Sequence, residues 1–322
     1  MTAAELEQML RTGAFDRSSL RRPPNPVSQA RIRGRLHGLR RDRAVISHHY
    51  DLPSEFYRLV LDSRMTYSSG YFTSCPPNNP QAVENVLDEA QYAKLDMVCR
   101  KVGLGEPGAT LLDVGCGWGA LSIHAATHFG ARVVGVTLSA EQKAFADKRI
   151  ADLGLGDRVR IELRDYREID GVHDAVASLE MGEHVGERQY GRYARTLRDS
   201  VVPGGRVLVQ QMSREGRHPG GGPFIESFIA PDMTMRPTAD TVGLLTAAGL
   251  ELVEMQPMGP HYAHTVDGWI ANFERNRDRI VALVGLEVTR VWQLYLAGGR
   301  TAFAQGRMGV DQILMTRPEE AS

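Results

Sequence analysis

The sequence has only three cysteines, Cys75, Cys99 and Cys116, in 322 residues. Their spacing matches neither a metal site nor a disulfide framework, so a reduced, cytoplasmic setting is expected. Charge of one sign is also missing: the formal net charge is −1, so no global field favours nucleic acid and no nucleic-acid partner is expected. No apolar stretch approaches the length of a membrane span, and the first residues are too acidic for a signal peptide. Internal repeats and low-complexity segments are absent, and no metal-binding motif is visible.

What the chain does have is a glycine turn. In Leu111-Leu112-Asp113-Val114-Gly115-Cys116-Gly117-Trp118-Gly119 an apolar run meets an acid and three alternating glycines. It reads as a buried parallel strand, a tight turn and a helix from Ala120 to His128. Glycine lets the backbone approach a ligand there. The spacing is neither the dinucleotide G-x-G-x-x-G nor a P-loop.

Further strands are expected at about 132–136, 159–163, 172–178 and 206–211, with helices at about 140–153 and 188–197. Ser139 is a natural N-cap for the first of these. This β-α repetition predicts a doubly wound parallel sheet whose ligands sit at the strand carboxyl ends. Asp113, Thr137, Asp165, Glu183 and Gln210 all fall at such ends, which points to an enzyme using a nucleoside cofactor. Thr137 and Gln142 stand where many nucleoside-binding sheets grip ribose. Asp165 beside Tyr166 suits an adenine amino group and ring.

Elsewhere, Ser54 is expected to cap a short helix holding Phe56, Leu59, Val60 and Leu61. An amphipathic helix over 82–101 turns Val86, Ala90, Leu95 and Val98 inward. Later come a helix at 238–248, a strand at 251–255, helices at 266–284 and 287–304, and a last strand at 308–315. Residues 1–46 form a basic amino-terminal arm, with arginines at 11, 17, 21, 22, 31, 33, 35, 40, 41 and 43. Such an arm suits a peripheral contact with an anionic membrane or an acyl carrier, or closure over the site; a solvated leader or a subunit contact is the plainer alternative.

Taken in order, His49-Tyr50-Asp51, Met65-Thr66-Tyr67-Ser68, Leu112 to Gly119, Gly135 to Gln142, Asp165-Tyr166-Arg167 and Glu183-His184-Val185-Gly186 resemble the cyclopropane-fatty-acid synthases, including the mycolic-acid cyclopropane synthases. The resemblance spans about residues 47–316. It implies a class I methyltransferase fold over 47–322: a Rossmann-like, seven-stranded, mostly parallel sheet, with a helical insertion at about 262–305 forming an apolar substrate pocket. It implies S-adenosylmethionine (SAM) as cofactor, leaving as S-adenosylhomocysteine. Tyr67, Ser68, Asp113, Gly115, Gly117, Trp118, Gly119, Thr137, Leu138, Gln142, Asp165 and Tyr166 would bind it. It implies methyl transfer to a carbon–carbon double bond of a lipid, through a carbocation that ends as a cyclopropane or a methyl-branched chain.

In that family a bicarbonate, held by several side chains and backbone, is the supposed base. Glu183 and Tyr295 match positions of its site, but Ser69 replaces cysteine, Gln210 histidine and Met212 isoleucine. Glutamine cannot become cationic, so anion binding is expected to weaken. Glu183 itself, or Glu180 or His184 nearby, is then the candidate proton acceptor. A soluble alkene or amine acceptor, and a catalytically silent SAM- or lipid-binding module, are the alternatives the residues leave open.

Overall fold

The computed structural model describes residues 52–73, 80–216 and 220–319, together with positions 29, 30, 32, 34, 36–38, 41, 42 and 45. The His49-Tyr50-Asp51 motif, Cys75 and most of the basic arm lie outside the described residues.

Seven strands form one sheet: β1 (Thr110–Val114), β2 (Arg132–Thr137), β3 (Val159–Leu163), β4 (His173–Leu179), β5 (Val201–Ser213), β6 (Glu251–Pro257) and β7 (Gly309–Thr316). Their order is β3-β2-β1-β4-β5-β7-β6. The first five run parallel, and β7 inserts antiparallel between β5 and β6. The order reverses at β1/β4, the switch point where open sheets take ligands. The central strands are continuous apolar runs, as strands covered on both faces must be. β5 begins earlier than the sequence predicts. Pro203-Gly204-Gly205 is absorbed as an irregularity in its pairing with β4 rather than ending the preceding turn.

The helices are α1 (Ser54–Val60), α2 (Pro80–Lys101), α3 (Ala120–His128), α4 (Ala140–Asp152), α5 (Glu187–Asp199), α6 (Pro223–Phe228), α7 (Thr238–Ala247), α8 (Gly259–Arg275) and α9 (Arg277–Ala304). Ser139 caps α4 by accepting from the Gln142 N–H. Ser54 does not cap α1. Its Oγ and N–H both donate to Glu141 Oε1, tying α1 to α4 instead.

The two late helices differ most from expectation. The corner lies at Asn276 rather than near residue 285, because the Asn276 side chain donates to the Leu59 and Asn272 carbonyls and holds a non-helical backbone there. Gly285 is a kink inside α9, at φ 80° and ψ 163°. α9 also corrects the reading that nothing approaches a membrane span: by length and composition alone it could cross one. Its inner face, with Ile280, Thr289, Trp292, Leu296 and Phe303, is buried in the protein instead. That face joins Phe56, Tyr57, Trp118, Tyr262, Trp269 and Phe273 in an apolar cluster above the sheet.

Candidate active site

The strand carboxyl ends open into a cleft of about 1170 Å³, open solvent at its mouth included. Tyr67, Ser68, Asp113, Gly115, Gly117, Trp118, Thr137, Leu138, Gln142, Tyr166 and His184 line it, together with Lys94 and Glu180. A Cβ on Gly115 would meet Met181 at 2.8 Å, whereas one on Gly117 would meet nothing within 4 Å. The first glycine is therefore required for packing, and the second fronts open space. Gly119 lies behind the turn, at φ 81°, where α3 starts. A Cβ there would press on Ala146 at 3.2 Å, so Gly119 sets helix spacing rather than lining the cleft.

Asp113 is buried, and Ser122 Oγ donates to it at 2.7 Å. Burial pushes its carboxyl up to about 6, against that hydrogen bond and the charge of Lys94. Thr137 Oγ1 donates to Gln142 Oε1 at 2.8 Å. This bond fixes the amide so that its Nε2 is left for a ligand. Trp118 packs on Tyr57 with ring centroids 4.6 Å apart.

Asp165 departs from its expected role. It is fully buried and does not line the cleft. Arg167 grips both of its oxygens, Nε to Oδ1 and NH2 to Oδ2, each at 2.7 Å. The Arg167 N–H donates to Oδ1 as well. A carboxylate so engaged is a structural anchor rather than an acceptor for adenine. Arg167 also meets Asp42 at 2.6 Å and donates to the His37 carbonyl, while Arg41 forms a two-pronged pair with Asp232. The described part of the arm is thus fastened to the domain beside the cleft, and Asp42 lines it.

At the inner end of the cleft stands Glu180, just past β4. It holds a left-handed backbone at φ 53°, which costs a side-chain-bearing residue roughly 1–3 kcal/mol. The Ser69 N–H and Gln210 Nε2 donate to its Oε1, each at 2.8 Å, and Tyr262 OH donates to Oε2 at 2.6 Å. Gln312 Nε2 in turn donates to Gln210 Oε1 at 3.0 Å. The Ser69 hydroxyl turns away and donates to the Gly70 carbonyl, so Ser69 serves through its backbone. Burial raises the Glu180 carboxyl, and the donors from Tyr262, Ser69 and Gln210, with Lys94, oppose that rise.

Glu183 lies behind, on a 3-10 turn at Gly182–His184, completely buried and off the cleft wall. Its Oε1 accepts only a long bond, 3.4 Å, from the Met212 N–H, and Oε2 has no hydrogen-bond partner. Burial, then the adjacent Glu180 charge, push it up to about 8. The two carboxyls are sorted by their surroundings: three donors favour the ionised form of Glu180, whereas burial with a single long bond favours the neutral form of Glu183. His184 lies on the cleft wall.

Above Glu180 the aromatic residues converge. The Tyr67 and Tyr295 hydroxyls meet at 2.9 Å. Tyr67 lies 5.2 Å from Trp269 and 6.2 Å from Trp292, and Tyr262 lies 5.9 Å from Trp269. Lys94, fully buried, donates to Ser68 Oγ at 2.7 Å, and burial pulls it down to about 8. Lys94, Tyr262 and Arg167 are absent from the expected site. Lys94 had a signal, since it stands four residues from both Ala90 and Val98 on the inward stripe of α2. Tyr262 had none beyond its aromatic neighbours.

The donors expected to hold bicarbonate are taken: the Ser69 N–H and Gln210 Nε2 both serve Glu180. The chain's own carboxylate stands among them, and these residues do not fit a bound bicarbonate. They do fit SAM: an open glycine turn, a free Gln142 donor, and Ser68 with Lys94 for a carboxylate.

Comparison with known proteins agrees with the geometry. The family model for mycolic acid cyclopropane synthetase matches residues 37–313. A "probable fatty acid methyltransferase" of Pseudomonas putida is 38% identical over 291 residues, covering 88% of this chain and 72% of that protein. The tuberculostearic acid methyltransferase of Mycobacterium tuberculosis is 36% identical, covering 85% of this chain and 65% of that protein. A mycolic acid cyclopropane synthase solved with SAH and CTAB superposes with a TM-score of 0.78 at 31% identity, covering 85% of this chain and 98% of that one.

Proposed function

Because this chain belongs to the mycolic acid cyclopropane synthetase family, and is thereby a SAM-dependent methyltransferase, we propose that it methylates a carbon–carbon double bond in a lipid acyl chain, with Glu180 as the proton acceptor. The observation that carries the proposal is the Glu180 carboxylate, held by three donors between the cofactor cleft and the aromatic cluster.

Bound in the cleft, SAM supplies an electrophilic methyl on a sulfonium. The alkene's π electrons form the new carbon–carbon bond as the sulfur–methyl bond breaks, leaving positive charge on the other alkene carbon. Tyr67, Trp269 and Trp292 offer aromatic faces to that cation. The apolar cluster around them keeps out water that would capture it. Glu180 then takes one proton. If it leaves the transferred methyl, its bonding electrons close a cyclopropane; if a hydride first shifts from the methyl-bearing carbon to the cationic one, loss of the same proton forms a methylene. If it leaves a neighbouring chain carbon, a methyl-branched alkene results. Tyr262, Gln210 and the Ser69 N–H hold the carboxylate ionised and aimed.

The test is mass spectrometry of lipids from a host that expresses the protein and is fed a methyl-labelled SAM precursor. Acyl chains one labelled carbon heavier are expected, and their fragmentation separates ring from branch. Absence of labelled lipid, with SAM binding intact, refutes the lipid acceptor.

A further inference from the structure

One helix carries two faces that no single role in the protein explains. The inner face of α9 is buried, and Tyr295 reaches from it to Tyr67 beside the reaction centre. The outer face is apolar and open: Leu283 is 39% exposed, Leu286 45% and Leu294 60%. Leu286, Arg290 and Leu294 are four apart and share one stripe after the Gly285 kink, with Leu283 exposed on the turn before it. Arg290 is exposed and has no partner among the described residues, and the same holds for Arg277 at the start of the helix. The neighbouring Glu287 is not free.

Three leucines left in water around an unpaired arginine form an apolar patch of the kind that marks an interaction surface. A protein partner needs shape; a bilayer needs only leucines to sink among the acyl chains and cations to meet anionic headgroups. Arginine suits that edge, since its stem lies along apolar surface while its head stays with phosphate. The inner burial of Trp292 and Leu296 keeps α9 lying on such a surface rather than crossing it.

We propose that the outer face of α9 docks on an anionic phospholipid bilayer, with Leu283, Leu286 and Leu294 inserted and Arg290 on a headgroup phosphate. This rests on the reading of a lipid acceptor, and it gives that acceptor a short path, because the opposite face of the same helix borders the aromatic chamber.

The test is flotation of the full chain with vesicles of phosphatidylglycerol and phosphatidylcholine in equal parts, and with phosphatidylcholine alone. The wild type is expected to float with the anionic vesicles. The variant Leu286→Glu/Leu294→Glu is expected to bind about tenfold less, and Arg290→Glu also less. Both variants are expected to keep the wild-type melting temperature and, on detergent-dispersed unsaturated phospholipid, methyl transfer within about twofold, because the lost step is docking. Unchanged flotation of the double variant overturns the proposal, as does equal binding to neutral vesicles or no flotation of the wild type. Loss of a dimer on sedimentation, with flotation kept, assigns the face to a second copy instead. If neither protein methylates dispersed lipid, the lipid reading falls while flotation still decides the docking face.

Discussion

Glu180 and Gln210 are joined twice across the ends of β4 and β5. The Glu180 N–H donates to the Gln210 carbonyl at 2.6 Å, and Gln210 Nε2 donates back to the Glu180 carboxylate at 2.8 Å. Backbone and side chain together hold one carboxylate in a left-handed conformation at the inner end of the cofactor cleft.

Removing that carboxylate should remove chemistry and spare binding. Glu180→Gln is expected to lower kcat by about 10²–10⁴-fold, the range for a lost general base. SAM affinity by calorimetry should stay within about threefold, because Glu180 accepts from protein donors rather than holding the cofactor. Gln210→Ala, which removes one donor to an ionised group, is expected to cost roughly tenfold in kcat. Wild-type turnover by Glu180→Gln would show that the proton goes elsewhere.

Glu183 should behave as a neutral group at pH 7. Glu183→Gln is then expected to keep kcat within about threefold at pH 7. In the wild type, Glu183 ionises near pH 8 beside Glu180, so turnover should fall above that pH and the variant should lose part of the fall. Stability follows the same sign. A carboxyl whose folded pKa is raised contributes stability below its unfolded pKa, near 4.3, and loses it as pH rises through about 8. The difference in melting temperature between Glu183→Gln and wild type should therefore grow in the variant's favour from pH 6 to pH 9. A constant difference would mean that Glu183 does not titrate there.

Bicarbonate should not matter. With the Ser69 and Gln210 donors occupied by Glu180, adding millimolar bicarbonate to degassed, bicarbonate-free enzyme is expected to change the rate by less than about twofold. Strict dependence on bicarbonate would displace Glu180 from the role.

Arg167 should matter for the fold. It is nearly buried and pairs with the fully buried Asp165 and with Asp42. Arg167→Met leaves the Asp165 charge without its cation, which typically costs about 3–5 kcal/mol. Urea denaturation should register that loss, and Asp165→Asn in the same background should recover part of it. The SAM KM of Asp42→Asn should rise, since Asp42 ties the arm to the cleft wall.

The sheet and its turn were legible in the sequence because they depend on local chemistry: apolar runs of strand length, glycines where a Cβ has no room, and Ser139 able to cap its own helix. Asp113 and Thr137 could be placed at the cleft because strand ends converge by topology, whereas Tyr67 and Ser68 were reached only through the family resemblance. What local pattern could not supply was the pairing of residues far apart in sequence. Asp165 read as a ligand acid, but Arg167 occupies both of its oxygens. Ser69 read as a hydroxyl until its N–H proved to be the donor. Glu183 read as the leading carboxylate, yet the three donors from distant segments converge on Glu180, three residues earlier. A side chain's protonation and direction are set by its neighbours in space, and for Glu180 those neighbours are Ser69, Gln210 and Tyr262, brought together only when the helical layer closes over the sheet.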